Sequence, residues 1–262
     1  MHTRQDKIEA LGRVIDTLDI LRVECPWDRK QTNESLRANT IEEVYELADA
    51  LMGSDQLKIR KELGDVLLHV LFYAKIGEES GAFDIADVAD ALNEKLIFRH
   101  PHVFGTAEAN DAQKVKENWE DLKLREKDGN KTVLAGVPDA LPAMIKADRI
   151  QEKAANVGFD WEERRQVWDK VREEADELGR EIDSMDRERM EEEMGDLLFS
   201  LINASRLYGI NPENALEKTN RKFIRRFNHV EQRARELGHN LREMPLAEMD
   251  ALWNEAKKSE QK

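Results

Sequence analysis

The stretch Glu173-Glu-Ala-Asp-Glu177, followed by Glu193-Met-Gly-Asp196-Leu-Leu-Phe199, decides the reading of this chain. In a helix of ~3.6 residues per turn, positions three and four apart share a face. Glu174 and Glu177 then point together, and so do Glu193 and Asp196. Residues 179–189 between the two blocks carry Asp183, Ser184 and Asp186, which suit a turn. Two antiparallel helices joined there would gather four carboxylates into one cluster. Such a cluster repels itself unless it takes up protons or cations. Its oxygen-only donor set favours Mg2+ or Mn2+ over zinc.

The pattern occurs twice. Glu42, Glu43, Glu46, Glu62 and Asp65 precede Glu173, Glu174, Glu177, Glu193 and Asp196 by one shared offset of 131 residues. The context repeats as well. Glu62-Leu-Gly-Asp-Val-Leu-Leu matches Glu193-Met-Gly-Asp-Leu-Leu-Phe, and Lys95-Leu-Ile-Phe-Arg99 matches Lys222-Phe-Ile-Arg-Arg226. A tryptophan precedes each first block (Trp27, Trp161), and another lies near the end of each half (Trp119, Trp253). Self-similarity at this scale implies two copies of one domain in tandem. Any single glutamate here reads most simply as a solvated helix face. The set does not, because each second block runs straight into an apolar segment, and carboxylates beside a core need a reason to be there. A di-iron bundle would need a Glu-x-x-His from two helices. Only Glu236-x-x-His239 fits, outside the repeat, and that reading is rejected.

The remainder is helical in pattern. Ala, Leu, Glu, Lys and Arg dominate and β-branched runs are absent. Ile8, Leu11, Ile15 and Leu18 recur at helical spacing, as do Ile41, Val44, Leu47, Ala48 and Leu51. Residues 66–74 are apolar on all sides except at His69, which suggests a helix buried between others. Asp84 and Asn211 suit helix N-caps, the latter followed by Pro212. Residues 127–142, rich in Pro and Gly, read as the linker. An all-α chain is therefore expected, with domains at 1–128 and 143–262 joined by residues 129–142.

Composition narrows the function. The 262 residues hold 41 Lys+Arg against 55 Asp+Glu, a formal net charge of -14, and 40% are hydrophobic. That is enough apolar content for a core. The acidity disfavours a nucleic-acid partner, yet a bound cation can reverse the local sign for a phosphorylated ligand. The single cysteine, Cys25, excludes a disulfide framework. The charged N-terminus lacks an apolar segment of the kind that targets export, and no stretch reaches the ~20 residues of a membrane span. A soluble cytoplasmic protein with no membrane partner is expected.

At these motifs the chain resembles the all-α nucleoside triphosphate pyrophosphohydrolases. The tandem order looks like the bacterial MazG family: Cys25-Pro-Trp-Asp28, Arg99-His-Pro-His-Val-Phe104, Asn156-Val-Gly-Phe-Asp-Trp161 and Glu191-Glu-Glu-Met-Gly-Asp196. The resemblance covers nearly the whole chain. It implies Mg2+-dependent hydrolysis of nucleoside triphosphates to the monophosphate and pyrophosphate, with Mn2+ as a substitute metal. It also implies a homodimer, because one copy supplies only part of a four-helix core. The metal ligands it implies are Glu174, Glu177, Glu193 and Asp196, and in the first copy Glu43, Glu46, Glu62 and Asp65. It marks the C-terminal copy as the principal active site.

Cleaving a phosphoanhydride needs an activated water and neutralisation of the charge building on oxygen, and a divalent cation supplies both. Glu173 or Glu192 could orient the water or act as base. Lys222, Arg225 and Arg226 lie within about one turn. The recurrence of Lys95 and Arg99 favours Lys222 and Arg226 as phosphate partners, with Lys170 as a further candidate. Trp253 suits either a core or dimer-interface aromatic or base stacking, and the resemblance favours contact with the nucleotide. Trp161 and Phe159 read as core residues, and His69 as a hydrogen-bonded histidine. The first copy's basic segment must break at Pro101 where the second continues through Phe227-Asn-His-Val230. The alternative to an enzyme is a non-catalytic helical module that binds nucleotide or a partner protein, and the complete acid set in both copies speaks against it.

Overall fold

A computed structural model describes residues 1–53, 55–105 and 132–260. Among them are ten α-helices, one short 3-10 turn and no strand, in agreement with the all-α expectation. The chain divides into two compact units, Met1–Glu108 and Ala109–Lys262. Trp119 and the expected boundary at 128/129 lie outside the described residues. Residues 132–142 run through turns with no helix. None of the described helices is long and apolar enough to cross a membrane.

The first unit contains α1 (Arg4–Glu24), a 3-10 turn at Asp28–Lys30, α2 (Asn33–Met52), α3 (Gln56–Glu79), α4 (Ile85–Arg99) and α5 (Pro101–Phe104). Short polar residues set the starts. Thr3 with Asp6, Thr32 with Ser35 and Asp84 with Asp87 form reciprocal caps, and the Asp55 carboxylate accepts from the backbone N–H groups of Leu57 and Lys58. Pro101 stops α4 after Arg99, as its missing N–H and ring demand. Helices α2 and α3 pack together as a pair, and α3 also packs against α1 and α4. Leu18, Leu36, Leu71 and Phe72 make the core between them.

The second unit repeats this plan with α6 (Ala143–Ala155), α7 (Gln166–Ser184), α8 (Arg187–Leu207), α9 (Pro212–Glu236) and α10 (Leu246–Ser259). Asn211 caps α9 with Pro212 in its first turn, as its sequence predicts. Helices α7 and α8 pair, α6 packs on α8, and α9 packs on α10. Val167, Val171 and Ala204 form one core cluster; Val230, Ala234, Met244 and Leu252 form another.

One expectation is corrected here. Residues 66–74 are not buried on all sides: Leu71, Phe72 and Ala74 are buried, but Leu68 and Val70 face outward on α3. The turn between the acidic blocks falls inside residues 179–189, beside Ser184 and Asp186, as expected. Helix α7 continues to Ser184 and reverses within Met185 and Asp186, because Met185 takes a left-handed φ of 59° and Asp186 caps α8. The tight reversal keeps the two acidic helices in close antiparallel register.

Candidate metal and nucleotide site

Helix α7 buries one stripe, Val167, Val171, Glu174 and Leu178, spaced at four, three and four residues. Three of the four are aliphatic; the fourth is a carboxylate, and Glu174 is only 5% exposed. Burying a charge without a partner is costly, so this side chain needs a cation. Lys170, one turn earlier on α7, supplies one: its Nζ lies 2.6 Å from Glu174 and 2.9 Å from Glu173. Those hydrogen bonds, Glu174's first, push the Lys170 ammonium above its ordinary value.

Two carboxylate triads converge on this stripe. Glu173, Glu174 and Glu177 form the first, and Glu174, Glu193 and Asp196 form the second, each with oxygens within 4.8 Å of one another. Glu174 is common to both, so the five acids meet as a single cluster across α7 and α8. Arg180 pairs with Glu177 at 3.0 Å. Burial, and then repulsion from Glu177, Glu174 and Asp196, pushes the Glu193 carboxyl above the usual carboxylate range.

The electrostatic strain gives a testable sign. A carboxyl whose folded pKa is raised stabilises the fold below its unfolded pKa and loses that contribution as pH rises through the folded one. In metal-free protein at pH 7–8, Glu193→Gln is therefore expected to raise the thermal midpoint over wild type. The difference should vanish in acid, where Glu193 is protonated anyway. Excess Mg2+ should reverse the order, because wild type gains more from binding. A calorimetric scan at two pH values with and without Mg2+ reads all of this.

The first unit gathers Glu43, Glu62 and Asp65 within 4.8 Å; Glu46 lies on the same helix but outside that triad. Here Glu62 is the deeply buried acid, 2% exposed. Burial, then Asp65 and Glu46, push Glu43 upward. The first unit's triad also carries a cation missed in the sequence: Lys61 Nζ lies 3.2 Å from Glu62 and 3.3 Å from Asp65. The residue 131 positions later is Glu192, so the two clusters differ by a full charge reversal at one position. The repeat offset alone would have exposed that difference. His69 is buried with Nδ1 2.9 Å from Thr40 Oγ1, the hydrogen-bonded role expected of it.

The basic candidates sit on the α9–α10 pair. Arg225 and Arg226 both grip Glu260, each at 2.7 Å. Lys222 is exposed one turn before Arg226. Trp253 packs on Phe223 with ring centroids 5.1 Å apart, and the Arg226 guanidinium lies 5.7 Å from its ring. Glu192 is exposed on α8 outside both triads. Phe159 and Trp161 are not core residues. Phe159 is 81% exposed, because Gly158 turns the chain through a left-handed φ of 86° and directs it outward. Both aromatics border a cavity of about 510 Å³ against α6 and α8.

A family model described as the MazG nucleotide pyrophosphohydrolase domain matches residues 31–104 and again 163–231. The chain is 46% identical over 234 residues to a Thermotoga maritima protein named nucleoside triphosphate pyrophosphohydrolase/pyrophosphatase MazG, with 89% of each chain covered. It is 41% identical over 259 residues to an Escherichia coli protein named nucleoside triphosphate pyrophosphohydrolase, covering 97% of this chain and 98% of that one.

Proposed function

The chain belongs to the MazG nucleotide pyrophosphohydrolase family and is a hydrolase of phosphoanhydride bonds; we propose that it converts nucleoside triphosphates to the monophosphate and pyrophosphate with Mg2+ held in the second unit. The observation that carries this reading is the pair of triads sharing buried Glu174 on an otherwise aliphatic stripe. An all-carboxylate donor set beside a core fits a hard divalent cation that keeps open positions for phosphate and water.

Glu174, Glu177, Glu193 and Asp196 would hold the metal. When bound, Mg2+ offsets charge on phosphate oxygens and makes a coordinated water more acidic. Glu173, exposed at the rim of the triad, would orient the attacking water or accept its proton, with Glu192 as the other candidate. Lys170 would move from its carboxylates towards phosphate once a metal occupies the cluster, since the cation then does the work of neutralising Glu174. Lys222, Arg225 and Arg226 would neutralise the leaving phosphates, the two arginines exchanging Glu260 for a stronger bidentate acceptor. Trp253 would contact the nucleotide. In the first unit Glu43, Glu46, Glu62 and Asp65 would form a weaker metal site, since the described residues gather one triad there and two in the second unit.

The domain limits 1–128 and 143–262, the homodimer and the cytoplasmic location belong to the same proposal. The dimer is supported by the apolar residues left on the acidic helix pairs, Val44, Leu63 and Leu68 in one unit and Met194, Leu198 and Leu201 in the other, all exposed in the single chain.

Incubating the protein with each ribo- and deoxynucleoside triphosphate and Mg2+ tests the reaction. Monophosphate should be the nucleotide product, and chelation should stop its formation. A diphosphate product would show cleavage of the other anhydride and overturn the reading. Tight binding of every triphosphate without any product would overturn it in favour of a binding module.

A further inference from the structure

The two arginines assigned to the leaving phosphates are already occupied. The Glu260 carboxylate lies between them, one oxygen to each. Arg225 reaches Oε1 with Nε at 2.8 Å and Nη2 at 2.7 Å. Arg226 donates to Oε2 from Nε at 2.9 Å and from Nη2 at 2.7 Å. Four N–H donors on two anionic oxygens is also how a guanidinium pair takes phosphate. Ion pairs at a surface usually contribute little unless their geometry is bidentate or networked, and this one is both. The side chains of Arg226 and Glu260 are only 15% and 24% exposed. Arg226, and then Arg225, holds the Glu260 carboxyl below the usual carboxylate range, so it is anionic at neutral pH.

The rest of α10 fixes where this carboxylate sits. Met249, Leu252 and Trp253 pack on Val230 and Ala234 of α9. Glu255 lies 3.3 Å from His229 and 3.2 Å from Arg233. These contacts dock the helix independently of Glu260. Glu260 itself is the first residue past the helix: α10 stops at Ser259, and the Glu260 N–H donates to the Ala256 carbonyl. Its side chain can therefore leave the arginines while the helix stays in place. A tethered anion of this kind competes at a high effective concentration. It lowers the affinity of any rival by the fraction of time the arginine pair is open.

The first unit has no such clamp. Where Lys222-Phe-Ile-Arg225-Arg226 matches Lys95-Leu-Ile-Phe98-Arg99, Phe98 stands in the place of Arg225. The arginine pair and its occupant belong to the unit that also gathers two carboxylate triads.

We propose that Glu260 is a built-in competitor for the phosphate seat: its carboxylate stands in for phosphate between Arg225 and Arg226, a triphosphate must displace it to bind, and its return helps pyrophosphate to leave. The inference rests on the triphosphate reading above, which puts phosphates at this pair. No bond is made or broken in the exchange; one anion replaces another on the same donors. The consequence is a raised KM for the triphosphate and a relief from inhibition by pyrophosphate.

The test measures binding of inorganic pyrophosphate with Mg2+ by titration calorimetry. Glu260→Ala should bind it about tenfold more tightly than wild type, the gain expected of a pair closed for about nine-tenths of the time. Glu255→Ala removes the same charge from the same helix but leaves the arginine pair closed, and should stay within about twofold. In turnover, the KM for the triphosphate and the inhibition constant of pyrophosphate should fall together in Glu260→Ala, by about the same tenfold. Glu260→Gln keeps the length of the side chain and one acceptor oxygen. It should give a smaller gain in the same direction, and it serves where alanine loosens α10, which amide hydrogen exchange over that helix reports. Unchanged or weaker pyrophosphate binding in both Glu260 variants would show a residue that only tethers α10 and would overturn the proposal. An equal gain in Glu255→Ala would overturn it as well, as a mere effect of net charge. The calorimetric readout needs no turnover. A protein that made no monophosphate yet showed this selective gain would overturn the hydrolysis reading and uphold the competitor.

Discussion

Asp196→Asn is expected to lower monophosphate formation by about a thousandfold or more, whereas Glu43→Gln in the first unit retains most of it. The argument starts from charge. The Asp196 side chain shares a triad with Glu174 and Glu193, and asparagine keeps its size while removing one of the anionic donors. Metal stabilisation of a phosphoryl transition state is worth several kcal/mol, and about 1.4 kcal/mol is a factor of ten in rate. Glu174→Gln should be at least as damaging, because Glu174 belongs to both triads. It would also leave Lys170 with Glu173 as its remaining charged partner. Both variants should fold, since removing like charge from a crowded cluster relieves repulsion; unchanged or raised thermal midpoints without metal confirm it. The first-unit variant should be mild because the described residues gather a single triad there, Glu43, Glu62 and Asp65, where the second unit gathers two that share Glu174. Single-turnover rates for the three variants at saturating Mg2+ decide the matter, and the reverse order of damage would move the principal site to the first unit.

Much of this was legible in the residues. Helix starts were readable because caps are local: Asp84 and Asn211 each satisfy backbone N–H groups within three residues of themselves. The acid pattern was readable because i,i+3 and i,i+4 spacing and a 131-residue repeat need no tertiary knowledge. What was not readable depends on which face turns inward. Glu174 is the buried acid in one copy and Glu62 in the other, although the five positions match. The choice is made by packing around each helix, not by the motif. Lys61 and Glu192 occupy matching positions with opposite charge, and each cluster takes its lysine from a different helix, Lys61 on α3 and Lys170 on α7; a lysine beside glutamates reads as a surface pair. Phe159 and Trp161 look like core residues in any composition-based reading. The left-handed turn at Gly158 and the Asp160–Arg206 pair place them at a cavity instead.

The second large effect is structural and should be confined to the first unit. Arg22 reaches from the end of α1 into the interior, with its side chain 7% exposed. It donates to both Glu79 oxygens of α3, at 2.8 and 2.5 Å, and to the carbonyls of Asp28 and Gln31 at the two ends of the 3-10 turn. Its guanidinium also lies 5.3 Å from the centre of the Phe72 ring. One planar, forked cation thus ties α1, the 3-10 turn and α3 together, which an ammonium cannot reproduce. Arg22→Ala removes four hydrogen bonds at once: the Glu79 carboxylate and the Gln31 carbonyl lose this donor, while the Asp28 carbonyl keeps the Gln31 N–H. Breaking a buried ion pair costs about 3–5 kcal/mol, and the partial exposure of Glu79 puts the expected loss near about 3 kcal/mol. Amide hydrogen exchange should accelerate across α1, α2 and α3 and stay near wild type in α7 and α8. Arg22→Lys should recover only part of the loss. The pH dependence provides a second readout. Arg22 holds the Glu79 carboxyl below its ordinary range, so this pair stabilises the fold above the unfolded carboxyl pKa. The contribution fades as pH falls through the lowered folded value. Wild type should therefore lose first-unit protection through that acidic window, and Arg22→Ala should show no such step. Uniform acceleration of exchange over both units would mean that the two are one cooperative body, and that Arg22 stabilises the whole chain.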